Sequence, residues 1–541
     1  LPSVDALTFS SIDLDRAFLR SLDRIQWRTV ATRVRERVTD DVIGSASEAL
    51  PPEHFAIHGD DLVRKLRARR TGIMRAAMRF YDRLAEYVDV HGTDARDRAD
   101  ILRAADGSVQ VRLYSADPPT IADDGTNGGV ALEDAQPYYS RTFLPGETKE
   151  VRLYLYGGAD RAVVSGVAER SSIRVRVVGG PGDDVLVDSA LVGADGAWAW
   201  LYDAEGSNRF VRNEHTVADR RAFQPPAEPR DWVAQKIARE RFRDWGSSQG
   251  FQPAIEYRSN TGFIAGVEWN ARQYGFRRMP FESEWEAQGL YAPGAGAFGA
   301  TAQITRHLEN SPIGIIAAAR ASGFDDIRFY GFGNESSELP SDRSRVERLL
   351  LLTRAGLQYA MAGGYAAVGG LVQHTRTPTN EHPVLAETHP FGVGDFTQVG
   401  LWAEAERATA DDALRLSLVG AFYPPFASVT SSYGKLRAIG VARLGSAPIL
   451  ALRAGGEQVW GRAPFHDAAF LGGRSSLRGY PPFRFVGDAA VFGNAELRVP
   501  IAIVKLLARG ELGAFALGDA GRVFVGGSSP GDWHTAYGGG L

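Results

Sequence analysis

Three stretches in the second half of the chain alternate apolar and polar residues over lengths that most soluble strands do not reach. In Leu414-Arg-Leu-Ser-Leu-Val-Gly-Ala-Phe422, residues Leu414, Leu416, Leu418 and Phe422 share one face while Arg415 and Ser417 share the other, because successive strand side chains point to opposite sides. In the same way Val399, Leu401, Ala403 and Ala405 oppose Trp402, Glu404 and Glu406, and Leu349, Leu351, Ala355, Leu357 and Tyr359 oppose Arg348, Arg354 and Gln358. Each run is about ten residues long, against about five or six in an ordinary sheet. Strands of about nine to eleven residues, tilted by about 45°, are what a bilayer crossing needs. From Phe251 onward about fourteen strand-like segments follow one another, divided by Gly, Pro, Asn and Asp turns, with no convincing helix among them. Trp285, Tyr291, Phe329, Tyr330, Phe332, Phe422 and Tyr423 lie near segment ends, where interfacial aromatic girdles belong. Lipid offers no hydrogen bonds, so such strands must close on themselves. The pattern predicts a transmembrane antiparallel β-barrel over 250–541.

Composition is compatible with this and removes several alternatives. No stretch approaches the ~18 to 20 apolar residues of a spanning helix; Ile313 to Ala319 is far too short. A mean hydropathy of -0.20 does not argue against a barrel, because lipid-facing and interior residues alternate. The 61 basic and 65 acidic residues nearly cancel and leave no electrostatic footprint for nucleic acid. With no cysteine, disulfides, thiolate metal sites and cysteine nucleophiles are excluded, which suits an oxidising periplasm.

A chain of 541 residues calls for two or three units. Residues 1–88 read as helical, with Leu22, Ile25, Val30, Val34 and Val38 in one run and Leu62, Leu66, Ile73, Ala77, Tyr81, Leu84 and Val88 in another. The cluster Arg64, Lys65, Arg67, Arg69 and Arg70 on the second run reads as a solvated face. Residues 89–221 carry a weak repeat, seen at 88–94, 151–160, 173–184 and 198–208, in which short β-rich runs close on Gly/Asp turns. It predicts stacked strands of a small solenoid or sheet. One rung, GGPGDDVLV at 179–187, fits the nine-residue calcium β-roll pattern and makes Asp183 and Asp184 weak calcium candidates. Its neighbour GGADRAVV lacks the third glycine, so plain turn chemistry is the better reading and no cofactor is expected. Residues 222–249 form a linker, marked by Phe223-Gln-Pro-Pro-Ala-Glu-Pro229, which resists both helix and central strand.

The segment Phe470-Leu-Gly-Gly-Arg-Ser-Ser-Leu-Arg-Gly-Tyr480 resembles the signature loop of BamA/TamA-type outer-membrane proteins, the bacterial surface antigen superfamily. Val491 to Pro500 and Gly513 to Phe524 resemble the two strands that follow it, and Phe329-Tyr-Gly-Phe-Gly-Asn334 is similar to members with unusual periplasmic regions. The resemblance implies a barrel of sixteen strands whose inward loop ends in Arg478, Gly479 and Tyr480, with the arginine held by Glu496 and Asp519. Strand parity agrees: Ala495, Leu497 and Val499 form one face, which sends Glu496 and Arg498 to the other, and Glu511 and Asp519 oppose Leu512, Ala514 and Ala516. A planar guanidinium binds carboxylates in forked pairs that lysine cannot copy. Gly479 is expected to permit a tight turn at the tip. The first 220 residues do not resemble the repeated βααββ periplasmic modules of assembly and secretion members. By the family's count Leu541 falls in the fourteenth strand, and the chain opens without an initiator methionine or signal pattern, so further sequence is expected on both sides.

The function implied is membrane-protein assembly, secretion or transport in a bacterial outer membrane, with lipid and client outer-membrane or secreted proteins as partners and the N-terminal region in the periplasm. A barrel-anchored periplasmic enzyme and a purely structural surface barrel are the alternatives. For the enzyme, Gly-x-Ser-x-Gly, His-Glu-x-x-His, Gly-Lys-Ser/Thr and Gly-Asn-His-Asp/Glu are all missing from the sequence, and His54 and His58 read as ordinary surface residues. No catalytic residue is expected.

Overall fold

The computed structural model describes residues 11–116, 136–169, 173–223, 243–258, 261–378, 382–505 and 509–541, with Val4 and Thr8. It divides into two compact units, Leu1–Gln224 and Pro225–Leu541. The proline-rich boundary beyond Phe223 lies outside the described residues.

The first unit opens with helices α1 (Ile12–Leu19), α2 (Arg24–Arg37), α3 (Asp40–Glu48) and α4 (Pro52–Ala85). Asp23 and Gln26 close a reciprocal capping box on α2, and Pro52 starts α4 where its missing N–H costs nothing. The expected apolar stripe of α2 is not its buried face. Ile25 is 75% exposed, with Val30 and Val34 also exposed, while Trp27 packs on Phe80 at 5.8 Å and Ala31 is buried. Trp27 and Ala31 lie one turn apart on the face that meets α4. On α4, Tyr81 and Leu84 are buried as expected, but Val88 belongs to the strand that follows. Arg64 and Lys65 pair with Asp61, and Arg67 and Arg70 with Asp40, on an exposed surface.

The repeat region folds into a five-stranded parallel sheet, Tyr87–His91, Glu150–Tyr154, Arg174–Val178, Ala199–Tyr202 and Thr216–Asp219, facing a second sheet of seven strands. Valines, leucines and isoleucines from both sheets, among them Val90, Ile101, Val151, Val164, Val175 and Leu201, fill the space between. The stacking also explains the Gly/Asp turns. The backbone N–H of Asp97 donates to Asp160 Oδ1 at 2.7 Å, that of Asp160 to Asp184 Oδ1 at 2.8 Å, and that of Asp184 to Asn208 Oδ1 at 2.9 Å. Asp183 accepts from the N–H of Ser207 at 2.8 Å. A Cβ on Gly182 would sit 1.5 Å from Gly158 O, and one on Gly206 would sit 1.6 Å from Gly182 O, so the rungs stack only through bare backbone. Asp183 and Asp184 each use one oxygen to join rungs. On the other face of the five-stranded sheet, away from that core, Glu150 is buried with Arg152 at 2.6 Å and Arg176 at 3.0 Å.

The second unit is a single antiparallel wall of fourteen strands in chain order. They are β1 (Ser247–Arg258), β2 (Gly262–Gly275), β3 (Arg278–Ala292), β4 (Ala297–His307), β5 (Ile313–Arg328), β6 (Arg345–Met361), β7 (Gly364–Thr377), β8 (Gly394–Ala408), β9 (Leu414–Tyr423), β10 (Tyr433–Leu444), β11 (Ile449–Gly461), β12 (Ala489–Lys505), β13 (Arg509–Phe524) and β14 (His534–Gly540). Short helices Ser341–Ser344 and Pro383–Thr388, which alternation does not reveal, sit in its loops. The expected parity holds on β6, β8 and β9: Leu401 is 59% exposed while its neighbour Trp402 is 5% exposed, and Leu351, Leu357, Leu416 and Leu418 are exposed too. Arg354 on the inner face pairs with Glu404 at 2.9 Å and lies over Trp402. The aromatic expectation needs correction. Trp285, Tyr291, Phe332 and Phe422 are exposed, but Phe329, Tyr330 and Tyr423 are buried: Phe329 meets Phe465 at 5.4 Å and Tyr423 stacks on Tyr433 at 4.6 Å. The connections are unequal at the two ends. Long ones at 329–344, 378–393, 424–432, 462–488 and 525–533 share one end with the short turn at 293–296, and only short ones, at 276–277, 308–312, 362–363, 409–413 and 445–448, are described at the other, where β1 begins.

The acid ladder predicts how stability varies with pH. Burial pushes the Asp160 carboxyl up to about 7 and raises those of Asp184 and Asp203, which face each other across the space a Cβ on Gly179 would fill, so that the Asp184 carboxyl further raises that of Asp203; Asp97, Asp183 and Glu205 add like charge, and Arg96 opposes it. A raised folded pKa means that the folded rungs hold protons the unfolded chain has released. Stability is therefore full below the usual carboxylate range and falls as pH rises through about 7. Urea midpoints of the solenoid in the intact chain should drop from pH 5 to pH 8, and Asp203→Asn should flatten the drop. Parallel curves for the two proteins would contradict it.

Candidate functional site

Between β11 and β12 the 462–488 segment folds back along the inner face of the wall. It forms its own hairpin, Ala469–Leu471 against Phe485–Gly487. Gly472 and Gly473, at φ +130° and +74°, turn the chain out of that hairpin, and Ser476 Oγ closes the turn by accepting from Gly472 N–H at 2.8 Å. Leu477 is fully buried, and Asn494 on β12 donates to Ser476 O at 2.6 Å. These contacts aim Arg478 at the wall.

The guanidinium is gripped from two strands. Nε donates to Asp519 Oδ2 at 2.9 Å and Nη2 to Asp519 Oδ1 at 2.6 Å, while the backbone N–H of Arg478 reaches Asp519 Oδ2 at 3.0 Å. Nη1 donates to Glu496 Oε2, and Arg498 holds the other oxygen of Glu496 at 2.6 Å. Asp519 stands on β13 opposite Asn494, and Glu496 stands two residues along β12 on the same face, so the phase of two neighbouring strands places both acids under one loop. The Asp519 side chain has no exposed surface. A buried carboxylate with a forked cation and a backbone donor is satisfied; deprived of the cation it would not be.

Gly479 serves otherwise than expected. Its φ is not in the left-handed region; instead a Cβ there would lie 2.6 Å from Ala536 Cβ, so glycine is needed for close approach to β14. Tyr480 packs edge-on against Phe485 at 5.3 Å and His534 at 5.7 Å, which wedges the tip beside the same strand. Arg478, Glu496 and Asp519 are thus brought together, with Gly479 and Tyr480 alongside. Glu511 shares the Asp519 face but is exposed and takes no part in the grip. Among the described residues, no three or more His, Cys, Asp or Glu side chains gather to hold a metal ion.

Two buried polar residues escaped the sequence reading. Asn334, the last residue of the FYGFGN segment, donates to Val523 O at 2.9 Å and Ser529 Oγ at 2.9 Å and accepts from Val523 N–H at 2.9 Å. It pins the 329–344 loop to the end of β13, and Arg484 ties the same loop to the arginine segment through Ser336 at 2.9 Å. The other is Asp467, at the base of the loop. An asparagine after Gly-Phe-Gly is a turn residue on sequence alone, and a lone loop aspartate has no periodic signal, so neither could be told from ordinary loop polarity.

No family model matches the chain, and no curated protein matches it. Among solved structures it is similar to BamA and to CdiB. The crystal structure of BamA from Haemophilus ducreyi lacking POTRA domains 1-3 shares 13% identity at a TM-score of 0.38, over 52% of this chain and 58% of that one. CdiB from Escherichia coli shares 14% at 0.37, over 55% and 56%, and CdiB from Acinetobacter baumannii 10% at 0.33, over 57% and 61%. The chain thus spans less than two thirds of each of these structures.

The grip makes a specific energetic prediction. Arg478→Ala strands a buried carboxylate, which costs about 3–5 kcal/mol when a buried pair is broken from one side. The unfolding temperature of the barrel, read as loss of its heat-modifiable gel mobility, should fall in Arg478→Ala and recover in part when Asp519→Asn is added. Equal losses in the single and double variants would show that Asp519 does not depend on the arginine.

Proposed function

We propose that this chain is a bacterial outer-membrane barrel that assembles, secretes or transports protein clients, with its inward loop locked to the wall by Arg478. The observation that carries the reading is the two-strand grip on the loop tip, made by Glu496 and Asp519 at 2.9 Å or less from Asp519 to the guanidinium. A loop spent filling the interior of a wall is costly to order, and a permanent open pore has no use for it. Fixing it makes sense where the interior must be sealed and rigid while a neighbouring strand pair works.

The exposed leucine faces of β6, β8 and β9 suit lipid, whose tails take up apolar side chains and give no hydrogen bonds. Long connections at one end and short turns at the other match outward loops and periplasmic turns. The chain enters β1 at the short-turn end, which supports a periplasmic first unit. Asp160 and Asp184 each use one carboxylate oxygen to join rungs, which supports a scaffold or docking role there.

The test is insertion of an unfolded client barrel into liposomes that hold the purified protein. The native chain should speed folding of the client over empty liposomes, and Arg478→Ala should lose most of that gain while still inserted. Acceleration that is unchanged in Arg478→Ala would rule out the lock; no acceleration by either protein would favour a structural surface barrel.

A further inference from the structure

The grip on Arg478 accounts for the tip of the inward loop and leaves its base unexplained. The base is the short helical turn Phe465–Asp467 with the residues on either side. Every residue from Pro464 to Ala469 is buried, and the turn carries a charged side chain, Asp467, that is 6% exposed. A carboxylate is not kept there without full compensation, because losing water costs several kcal/mol per ion. Three donors supply it. Lys435 Nζ reaches Oδ1 at 2.6 Å, Tyr433 OH donates to Oδ2 at 2.8 Å, and Gln398 Nε2 donates to Oδ2 at 2.9 Å. Tyr433 and Lys435 stand two apart on the inner face of β10, and Gln398 stands on β8. The strands that hold Arg478 are β12 and β13, on the far side of β11.

The surroundings of the turn make the attachment firmer. Phe465 N–H donates to Phe391 O at 2.8 Å, Phe465 meets Phe329 edge-on, and a Cβ on Gly392 would fall 2.3 Å from Pro464 Cβ. Between this base and the tip lie Gly472 and Gly473, whose positive φ values mark the bend where the chain leaves the hairpin. Base and tip are therefore separate contact sets on different strands, joined through a glycine pair.

We propose that Asp467 is a positioning residue forming a second, independent anchor of the inward loop: it clamps the base to β8 and β10, so that loss of the Arg478 grip frees the tip and leaves the base in place. This rests on the reading of the 462–488 segment as a functional inward loop. Its consequence is that the loop's path along the wall is set by the Gln398, Tyr433 and Lys435 trio and its tip by Glu496 and Asp519.

The chain has no cysteine, so single thiols can report each site without background. Ser476→Cys places a thiol in the tip and Ala468→Cys one beside Asp467; both positions are buried. The full chain in liposomes is treated with a small water-soluble maleimide, and labelling is timed. Where labelling follows the population of an opened loop, Arg478→Ala should speed modification of the tip thiol by about tenfold or more and leave the base thiol within about twofold. Asp467→Asn should instead speed the base thiol. Lys435→Met, made on the wall side, should do the same, and it carries the test if Asp467→Asn does not reach the membrane. If Arg478→Ala exposes both thiols alike, or if neither Asp467→Asn nor Lys435→Met affects the base thiol, the second anchor does not exist. Labelling needs no client, so a chain inert in the insertion assay still gives an answer here.

Discussion

The second unit pairs its peptide groups with one another along one sheet, which is what a hydrocarbon phase, unable to hydrogen-bond them, would demand. Every strand from β1 to β14 pairs antiparallel with its neighbour over long registers, such as the thirteen consecutive partners from Leu349 to Met361 on β6, so each strand from β2 to β13 is hydrogen-bonded on both sides. Parity then does the sorting: Leu351, Leu357, Leu401, Leu416 and Leu418 are exposed on one face, while Arg354, Gln398 and Glu404 lie on the other beside apolar residues such as Val346 and Leu350. The inner face is then rich in charges that must find partners away from lipid, as Arg354 does with Glu404. A loop that folds along that face meets a surface already lined with carboxylates and hydroxyls. The Arg478 grip and the Asp467 clamp are two solutions to one problem, which is how to bury a charged loop without stranding a charge.

The first unit meets the same requirement by other means. Its parallel rungs align Gly158, Gly182 and Gly206 so closely that any side chain would collide with the carbonyl of the rung before, and the freed space lets Asp160 and Asp184 reach back to the preceding rung's N–H. The glycine and the aspartate of each turn therefore work as a pair. Neither would be useful alone: without the glycine the rungs separate, and without the aspartate the buried N–H is orphaned.

What could be read from the sequence follows from what has a period. Strand parity has a period of two, so the outward leucines of β6, β8 and β9, and the shared phase of Glu496 and Asp519, are legible in the sequence. The repeat of Gly/Asp turns was legible as stacked rungs for the same reason. Contacts without a period were not. On α2 the apolar residues Ile25, Val30 and Val34 are exposed, while Trp27, which the apolar spacing does not include, makes the contact with Phe80 and Ala31 is buried. Phe329, Tyr330 and Tyr423 look like girdle residues by their place near strand ends, but Phe465, distant in sequence, and Tyr433, on the next strand, claim two of them for the interior. Gly479 was rightly singled out for the wrong reason, since the demand comes from Ala536 on another strand and not from its own backbone angle.

All of this presumes that the leucine face meets lipid and the charged face meets the interior. Spin labels on adjacent residues of β9 in the liposome-embedded chain test it directly: one at Leu418 and one at Ser417, each challenged with oxygen, which concentrates in lipid, and with a water-soluble nickel chelate. The label at Leu418 should relax with oxygen and ignore the chelate, and the label at Ser417 should be screened from oxygen. The same response at both positions, or oxygen access at Ser417 alone, would contradict the account.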